Sequence, residues 1–139
     1  MIKRSPLKRG NSRLKRTPLR RKSKNPRKKL INRADTALQD YYRVKWADVP
    51  CEGCGGKMEL CHHYVLKSHS NRLRYEEINL IPVCKSCHSK VHGFNGEIVN
   101  AQITLNRGQD WLNKIRELER EHIKLGIKDL EEIIIKYKL

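Results

Sequence analysis

The sequence has little material for a large hydrophobic core. Its 139 residues include one Phe and two Trp, and 37% of the chain is hydrophobic. A chain of this length has room for one modest domain, and so small a core would be helped by a bound metal or a partner. We therefore expect one domain that depends on more than apolar packing.

Long apolar runs are also lacking. No stretch approaches the roughly 20 residues that a membrane-spanning helix needs, and the N-terminal region has no apolar segment of the kind found in a secretory signal. These absences predict a protein that does not contact membranes and is made in the cytoplasm.

Acidic residues are absent from the first 34 positions, and the first one is Asp35. Of the 31 Lys and Arg residues, 15 lie within residues 1–33, so the remainder of the chain is close to neutral. Such a segment cannot bury enough apolar surface to offset its ordering entropy. Residues 1–32 are therefore predicted to form a disordered basic arm.

Within this arm a unit with a small hydroxyl residue, a Leu and a basic pair occurs three times. The favoured role is binding to the phosphate backbone of DNA, because a segment rich in Lys and Arg releases counterions from it. A localising or solubilising tail is the alternative. The candidate contacts are Arg13, Lys15, Arg16, Arg20 and Arg21.

The rest of the chain, 33–139, reads as one domain with helices at both ends. Apolar side chains recur at helical spacing over 33–47, which predicts an amphipathic helix whose aromatic residues pack on the core. Three C-terminal helices are predicted within about 97–138, over 97–106, over 109–123 and after Gly126. They are expected to cover the core, with Ile133–Ile135 as a candidate dimer contact.

Five cysteines fall in a pattern typical of a zinc site. Four of them form two Cys-x-x-Cys pairs about thirty residues apart: Cys51 with Cys54, and Cys84 with Cys87. Disulfides would need an oxidising compartment, and nothing in the sequence indicates secretion. The four cysteines are predicted to form a closed, structural Zn²⁺ site in a knuckle, and Cys61 is predicted to be a small buried thiol.

Four of the six histidines form a second pattern. His62 and His63 end a strand predicted over 58–64, and a polar loop over 67–78 leads to a second strand at 80–83. His88 and His92 lie one helical turn apart, which suits two ligands of one ion. Asn79 lies just before the second strand.

This order of residues resembles the HNH endonuclease motif, and the resemblance covers about 51–93. It implies an α+β fold: a small ββα-metal (HNH) core with a four-cysteine zinc knuckle, flanking helices and the basic arm. Together the arm, the zinc-bound unit and the helical tail are similar to the phage NinG recombination-protein family. That resemblance implies a location in the cytoplasm of a bacterium or of a phage-infected host cell.

The HNH resemblance also implies roles for individual residues. His62, His88 and His92 would hold a catalytic divalent ion, His63 would be the general base, and Asn79 would hold the loop and orient that base. Many family members have Asp and Asn at the positions of His62 and His88. This sequence has His at both positions, and His suits zinc, nickel and manganese better than magnesium. The ion is expected to be Mg²⁺ or Mn²⁺, with Zn²⁺ and Ni²⁺ as alternatives. Further candidate contacts to DNA are Lys67, Arg72 and Arg74.

These patterns together predict a metal-dependent DNA endonuclease that hydrolyses phosphodiester bonds. One alternative is a non-catalytic zinc-containing DNA-binding protein in which the histidines form a degenerate or second structural site. Another is an RNA-binding zinc protein of ribosomal type, which the basic arm suggests but in which the histidines have no role. Branched intermediates, flaps and a specific duplex site are all open as the DNA that is cut, and the oligomeric state is open as well.

Overall fold

The computed structural model describes residues 25–138, in which helices surround a small antiparallel sheet. This mixed architecture agrees with the predicted α+β class. No helix within this part of the chain is both long enough and apolar enough to cross a bilayer. The elements are α1 (Pro26–Lys45), β1 (Leu60–His63), β2 (Leu80–Val83), α2 (Lys85–Val91), α3 (Gly96–Arg107), α4 (Gln109–Glu119) and α5 (Ile127–Lys136).

Helix α1 begins well before its predicted start at residue 33. Asn25 caps it by accepting a hydrogen bond from the Arg27 amide at 3.0 Å, and Pro26 occupies the first helical position, which its fixed φ favours. The Arg27 side chain then donates to the Leu125 carbonyl at 3.1 Å. The predicted boundary of the arm is corrected accordingly, because residues 26–32 belong to the helix.

The apolar face of α1 packs against α5. Tyr42 is buried on α1 and its ring lies 5.8 Å from that of Tyr137, whose hydroxyl donates to the Tyr75 carbonyl at 2.9 Å. This packing confirms that the aromatic residues of α1 belong to the core. On α5, Ile133 and Ile134 also pack there while Ile135 remains exposed, so the predicted apolar patch is largely covered.

The two strands pair antiparallel, with His62 opposite Ile81 and Cys61 opposite Pro82. Both outer edges of this small sheet are occupied. The Gln39 amide of α1 accepts from the Cys61 N–H at 3.1 Å and donates to the Cys61 carbonyl at 2.6 Å. Pro82 has no N–H to offer, and its carbonyl accepts from Glu52 at 3.0 Å. Helix α1 and the cysteine loop therefore flank the sheet from opposite edges.

Helices α3 and α4 cover the remaining apolar surface. Ile103 of α3 is buried with Ile81 and Val83 of the sheet, and Ile115 of α4 is buried with Leu73 of the connecting loop. The helices are separated at Gly108, as predicted. Helix α4 ends at Glu119 and β1 spans four residues, so both elements are shorter than predicted.

Candidate active site

The four predicted zinc ligands come together at one end of the sheet. The Sγ atoms of Cys51, Cys54, Cys84 and Cys87 all lie within 4.8 Å of one another. Zinc bound to four sulfurs at about 2.3 Å implies sulfur–sulfur separations of about 3.8 Å, and the Cys54–Cys84 separation is 3.8 Å. The cysteine cluster therefore has the dimensions of a structural zinc site and could hold one Zn²⁺.

Two glycines allow the cysteine loop to close tightly. Gly55 has a φ of +73°, a left-handed conformation that favours glycine. A Cβ atom at Gly53 would lie 2.9 Å from Cys87 Sγ and 3.0 Å from Val99. The loop thus approaches the second cysteine pair more closely than any side chain at position 53 would permit.

The surroundings of the cysteines affect coordination in two opposing ways. Burial raises the pKa of the Cys87 thiol, and its contacts with the other three thiols act in the same direction. A metal ion reverses this preference because it binds the thiolate and displaces the proton. At the start of α2, the Cys87 amide already donates to Cys84 Sγ at 3.4 Å, which is a contact that stabilises negative charge on the sulfur.

A second group of ligands forms where β1 faces α2. Within residues 25–138, His62, His88 and His92 form one set whose ligand atoms lie within 4.8 Å of one another. His88 Nε2 and His92 Nε2 are 3.2 Å apart. Nitrogens about 2.1 Å from one ion are about 3.0 Å apart at adjacent octahedral positions and about 3.4 Å apart in a tetrahedron. The spacing therefore fits a single ion of either geometry.

The strand residue of this set is ready to act as a ligand. His62 Nε2 is buried and has no hydrogen-bond partner among the described residues. Burial, together with the nearby His88 and His92, lowers the pKa of His62 to about 3. Its imidazole is therefore neutral at pH 7, the form that binds a metal. A buried nitrogen without a partner is costly unless an ion or another donor meets it.

His63, the next residue along β1, is held separately from the ligand set. Its Nε2 is 2.9 Å from the carbonyl oxygen of Arg74. A carbonyl oxygen can only accept, so Nε2 carries the proton and Nδ1 keeps its lone pair. Burial lowers the pKa of His63 to about 4, although the Arg74 carbonyl acts in the opposite direction. His63 is therefore a neutral imidazole with one free basic nitrogen at pH 7.

Asn79 holds the connecting loop, as predicted, but its side chain forms no hydrogen bond with His63. It is fully buried, accepts from the Val65 amide at 2.7 Å, and donates to the carbonyls of Val65 at 3.0 Å and Leu73 at 3.1 Å. These bonds tie together the two ends of the loop. The group that orients the ring of His63 is instead the Arg74 carbonyl, the next residue along from Leu73.

The three loop residues predicted to contact DNA all have partners within the chain. Arg74 forms a bidentate ion pair with Asp35, and its side chain is 15% exposed. Lys67 pairs with the same carboxylate at 3.0 Å. Arg72 pairs with Glu76 and with Glu121. These contacts give each cation a structural role, and their contact with DNA stays a prediction.

The remaining predicted residues are the candidates in the arm and Cys61. Arg13, Lys15, Arg16, Arg20 and Arg21 fall outside the described residues. Cys61 is 3% exposed among the apolar residues between α1 and the sheet, and burial raises its pKa to about 12. It is therefore a buried thiol, as predicted. Within the described chain it belongs to neither ligand set.

A cleft of about 350 Å³ opens over the histidines. Its lining includes all four clustered histidines together with Gln39 and Lys67. The sequence did not indicate the contributions of Gln39 and Asp35, which reach the site from α1. The only signal was a polar residue at the border of an apolar helical stripe, and that pattern is common on solvated helix faces.

Comparison with known proteins gives one match that spans nearly the whole chain. The family model described as Bacteriophage Lambda NinG protein matches residues 3–139. No curated protein and no solved structure gives a significant match.

Proposed function

The chain belongs to the bacteriophage lambda NinG protein family, and from that premise we propose that it is a metal-dependent HNH DNA endonuclease. It hydrolyses phosphodiester bonds, and its family membership suggests that it does so in phage DNA recombination or processing. One observation carries the proposal: a three-histidine ligand set and a separate neutral histidine line the same cleft.

The order of elements supports the same proposal. An antiparallel pair of strands is followed directly by a helix, and the ligand set joins His62 of the first strand to His88 and His92 of the helix. A non-catalytic zinc protein has no need of a further histidine beside such a set. His63 is neutral at pH 7 because burial lowers its pKa, and the carbonyl keeps its proton on Nε2, so Nδ1 can accept a proton as a general base does.

In this mechanism the protein's own residues do three things. His62, His88 and His92 would hold a divalent ion, which would supply Lewis-acid stabilisation of the scissile phosphate and of the departing 3′ oxygen. His63 Nδ1 takes a proton from the attacking water. Asn79 keeps the loop closed so that the Arg74 carbonyl holds His63 in the reactive tautomer.

The ligand types indicate which ions the site prefers, and the charge of the chain indicates how it would bind its substrate. Three imidazole ligands suit Mn²⁺, Zn²⁺ and Ni²⁺ better than Mg²⁺, which prefers oxygen ligands. DNA is the proposed partner, bound mainly through its phosphate backbone. Backbone contacts position a protein without reading sequence, so the proposal does not include a specific site.

A metal-dependent cleavage assay tests this function. The full chain carrying its zinc would be mixed with plasmid, single-stranded and branched DNA, with Mg²⁺, Mn²⁺, Zn²⁺ or Ni²⁺ added. Cleavage should require the ion and should be lost in His88→Ala and His92→Ala, which should also bind the ion more weakly. His122→Ala serves as the matched control, because His122 is exposed and lies outside both ligand sets.

The assay also distinguishes the main alternative. Tight DNA binding without cleavage under any ion would indicate a non-catalytic zinc-containing DNA-binding protein. Cleavage that is insensitive to chelator, or equal in His88→Ala and the wild type, would overturn the proposed site.

A further inference from the structure

We propose that Asp35 of α1 is a positioning residue that holds His63 in one tautomer by fixing the Arg74 carbonyl. The inference rests on the function proposed for His63 and assigns part of the site to a helix outside the strands and α2. It follows from a continuous chain of contacts that runs from α1 through the connecting loop to the imidazole.

The first link joins Asp35 to the loop. Arg74 Nε donates to Asp35 Oδ1 at 3.1 Å and Arg74 Nη2 donates to Oδ2 at 2.7 Å. This bidentate pairing restricts both the position and the orientation of the guanidinium group. The two side chains are 15% and 18% exposed, so solvent screens the pair only weakly.

Two more donors form hydrogen bonds with the Asp35 carboxylate. Lys67 Nζ donates to Oδ2 at 3.0 Å and the Tyr75 hydroxyl donates to Oδ1 at 3.0 Å. Arg74 Nη1 also donates to the Lys67 carbonyl at 3.3 Å. Asp35 thereby holds the start and the end of the same loop, and the backbone of Arg74 lies between these anchors.

The second link is the backbone of Arg74 itself. Its carbonyl accepts from His63 Nε2 at 2.9 Å, and Asn79 fixes the preceding carbonyl of Leu73. Asn79 therefore holds this segment from inside the loop, and Asp35 holds it from the helix. If the Arg74 carbonyl were free to move, the imidazole could exchange tautomers and place its proton on the nitrogen that must accept one.

Helix α1 also holds the strand that bears the histidines. Gln39 lies one turn after Asp35 and hydrogen-bonds both backbone groups of Cys61, the residue before His62. From helix α1, Gln39 thus holds the backbone just before His62 and His63, and Asp35 holds side chains of the loop that follows them. A surface ion pair with no positioning role would not need this second, coordinated contact.

The direct test is the tautomeric state of His63 in the full, zinc-bearing chain. Nitrogen chemical shifts in the NMR spectrum distinguish a proton on Nε2 from one on Nδ1. The wild type should show one tautomer, with the proton on Nε2. Asp35→Asn and Arg74→Lys should each show a mixture, while Asp35→Glu, which keeps the carboxylate, should restore most of the wild-type signal.

The functional test is single-turnover cleavage at saturating DNA and ion. Loss of an outer-shell partner commonly costs about 10- to 100-fold in activity, and we expect about 10-fold for Asp35→Asn with unchanged DNA affinity. Asp35→Asn combined with Arg74→Lys should be no slower than the worse single variant, because both changes break one chain of contacts.

Two controls separate positioning from folding. Asp40→Asn removes an exposed pair with Arg43 on the same helix, and Glu121→Gln removes one partner of Arg72 in the same loop. Both controls should keep the wild-type rate and tautomer. A single Nε2 tautomer in folded Asp35→Asn would overturn the proposal, whatever its cleavage rate. If the wild type cleaved no DNA, the proposed function would fail, while the tautomer measurement would still decide the role of Asp35.

Discussion

At the scale of single residues, the site separates two kinds of histidine by what each ring contacts. His62 has a buried nitrogen with no partner in the described chain, whereas His63 donates from Nε2 to a carbonyl. The first arrangement suits a ligand and the second suits a base. Adjacent positions on one strand make this division possible, because successive side chains point to opposite faces.

The first prediction concerns the general base. His63→Ala should lower the single-turnover cleavage rate by about 10²- to 10⁴-fold, because it removes the proposed acceptor of the water's proton. Ion binding, measured by calorimetry, and DNA affinity should stay close to those of the wild type. Loss of the ion from His63→Ala would mean that the roles of His62 and His63 are reversed.

The second prediction concerns acid stability. Burial alone would raise the pKa of Asp35, but hydrogen bonds from Arg74 and Lys67 outweigh it and the pKa lies below its ordinary value of 3.8. A carboxyl whose folded pKa is lowered stabilises the fold above its unfolded pKa, and this stabilisation is lost as pH falls through the folded pKa. Asp35→Asn should therefore cost about 2 kcal/mol at pH 7.

That difference between Asp35→Asn and the wild type should be constant from about pH 5 to 8 and should shrink below about pH 4. Denaturant unfolding of both proteins at each pH measures it. Protonation of the zinc-binding thiols affects both proteins equally and cancels. A difference that grows as pH falls would contradict the role given to the ionised carboxylate.

Much of the site at this scale was predictable from residue type and spacing. The four cysteines and the His62, His88 and His92 set lie together as the pattern indicated. The orientation of His63 was not predictable, because the group responsible is a backbone carbonyl. Every residue has such a carbonyl, so only the folded loop shows that the carbonyl of Arg74 is the one that meets the ring.

At the scale of elements, the cysteine loop and α2 are linked through the metal ligands. Helix α2 has seven residues, too short to be stable alone, and it carries Cys87 and His88 in adjacent positions. The same helix therefore contributes to both candidate metal sites. Loss of the zinc should disturb the histidine set as well as the cysteine loop.

The third prediction follows from this link. Cys54→Ser or Cys87→Ser should abolish tight zinc binding and unfold the domain, because the free energy of zinc binding is part of the folding free energy. Cys61→Ala is the control, since Cys61 belongs to neither ligand set, and it should keep its zinc. Elemental analysis and circular dichroism would measure both effects. A folded, active Cys87→Ser protein would exclude a structural zinc.

The fourth prediction concerns the close approach at Gly53. A methyl group there would lie 2.9 Å from Cys87 Sγ, so Gly53→Ala should weaken zinc binding and lower the melting temperature. Gly56→Ala is the matched control within the same loop, because the nearest atom to its added carbon is 3.4 Å away. Equal losses in the two variants would show that general loop flexibility, and not this contact, is responsible.

Element order could be predicted more accurately than element ends. Both strands and all five α-helices of the described region correspond to predicted segments, because each has a hydrophobic period and several are bounded by Gly or Pro. The start of α1 could not be predicted from charge. Leu30 and Ile31 pack on the core and Arg27 caps a distant carbonyl, so tertiary contacts overcome the repulsion among neighbouring cations.

At the scale of the whole molecule, positive charge is concentrated at one end of the sequence. Residues 1–24 contain 11 of the 31 Lys and Arg residues and no acidic residue. In the described part, several cations near the histidines are already paired, including Lys67, Arg72 and Arg74. The excess positive charge available for the phosphates of DNA is therefore expected to come largely from residues 1–24.

The last prediction tests that division. Removing residues 1–24, and not the whole predicted arm, leaves α1 with its Asn25 cap and its contacts to the core. Each phosphate neutralised adds about −0.9 to the slope of log affinity against log salt. If the arm contacts roughly five phosphates, affinity of the full chain should fall about 500-fold between about 50 and 200 mM salt.

The shortened chain should lose most of this slope and bind DNA more weakly at low salt, because it lacks the basic arm. Its single-turnover cleavage rate at saturating protein should remain close to that of the full chain, because its ligands and base all lie beyond residue 50. DNA affinity across a salt series, measured for both forms, decides between the possible roles of the arm. Equal slopes would favour a localising or partner-binding tail, whereas a slower rate at saturation would mean that the arm helps to place DNA against His63.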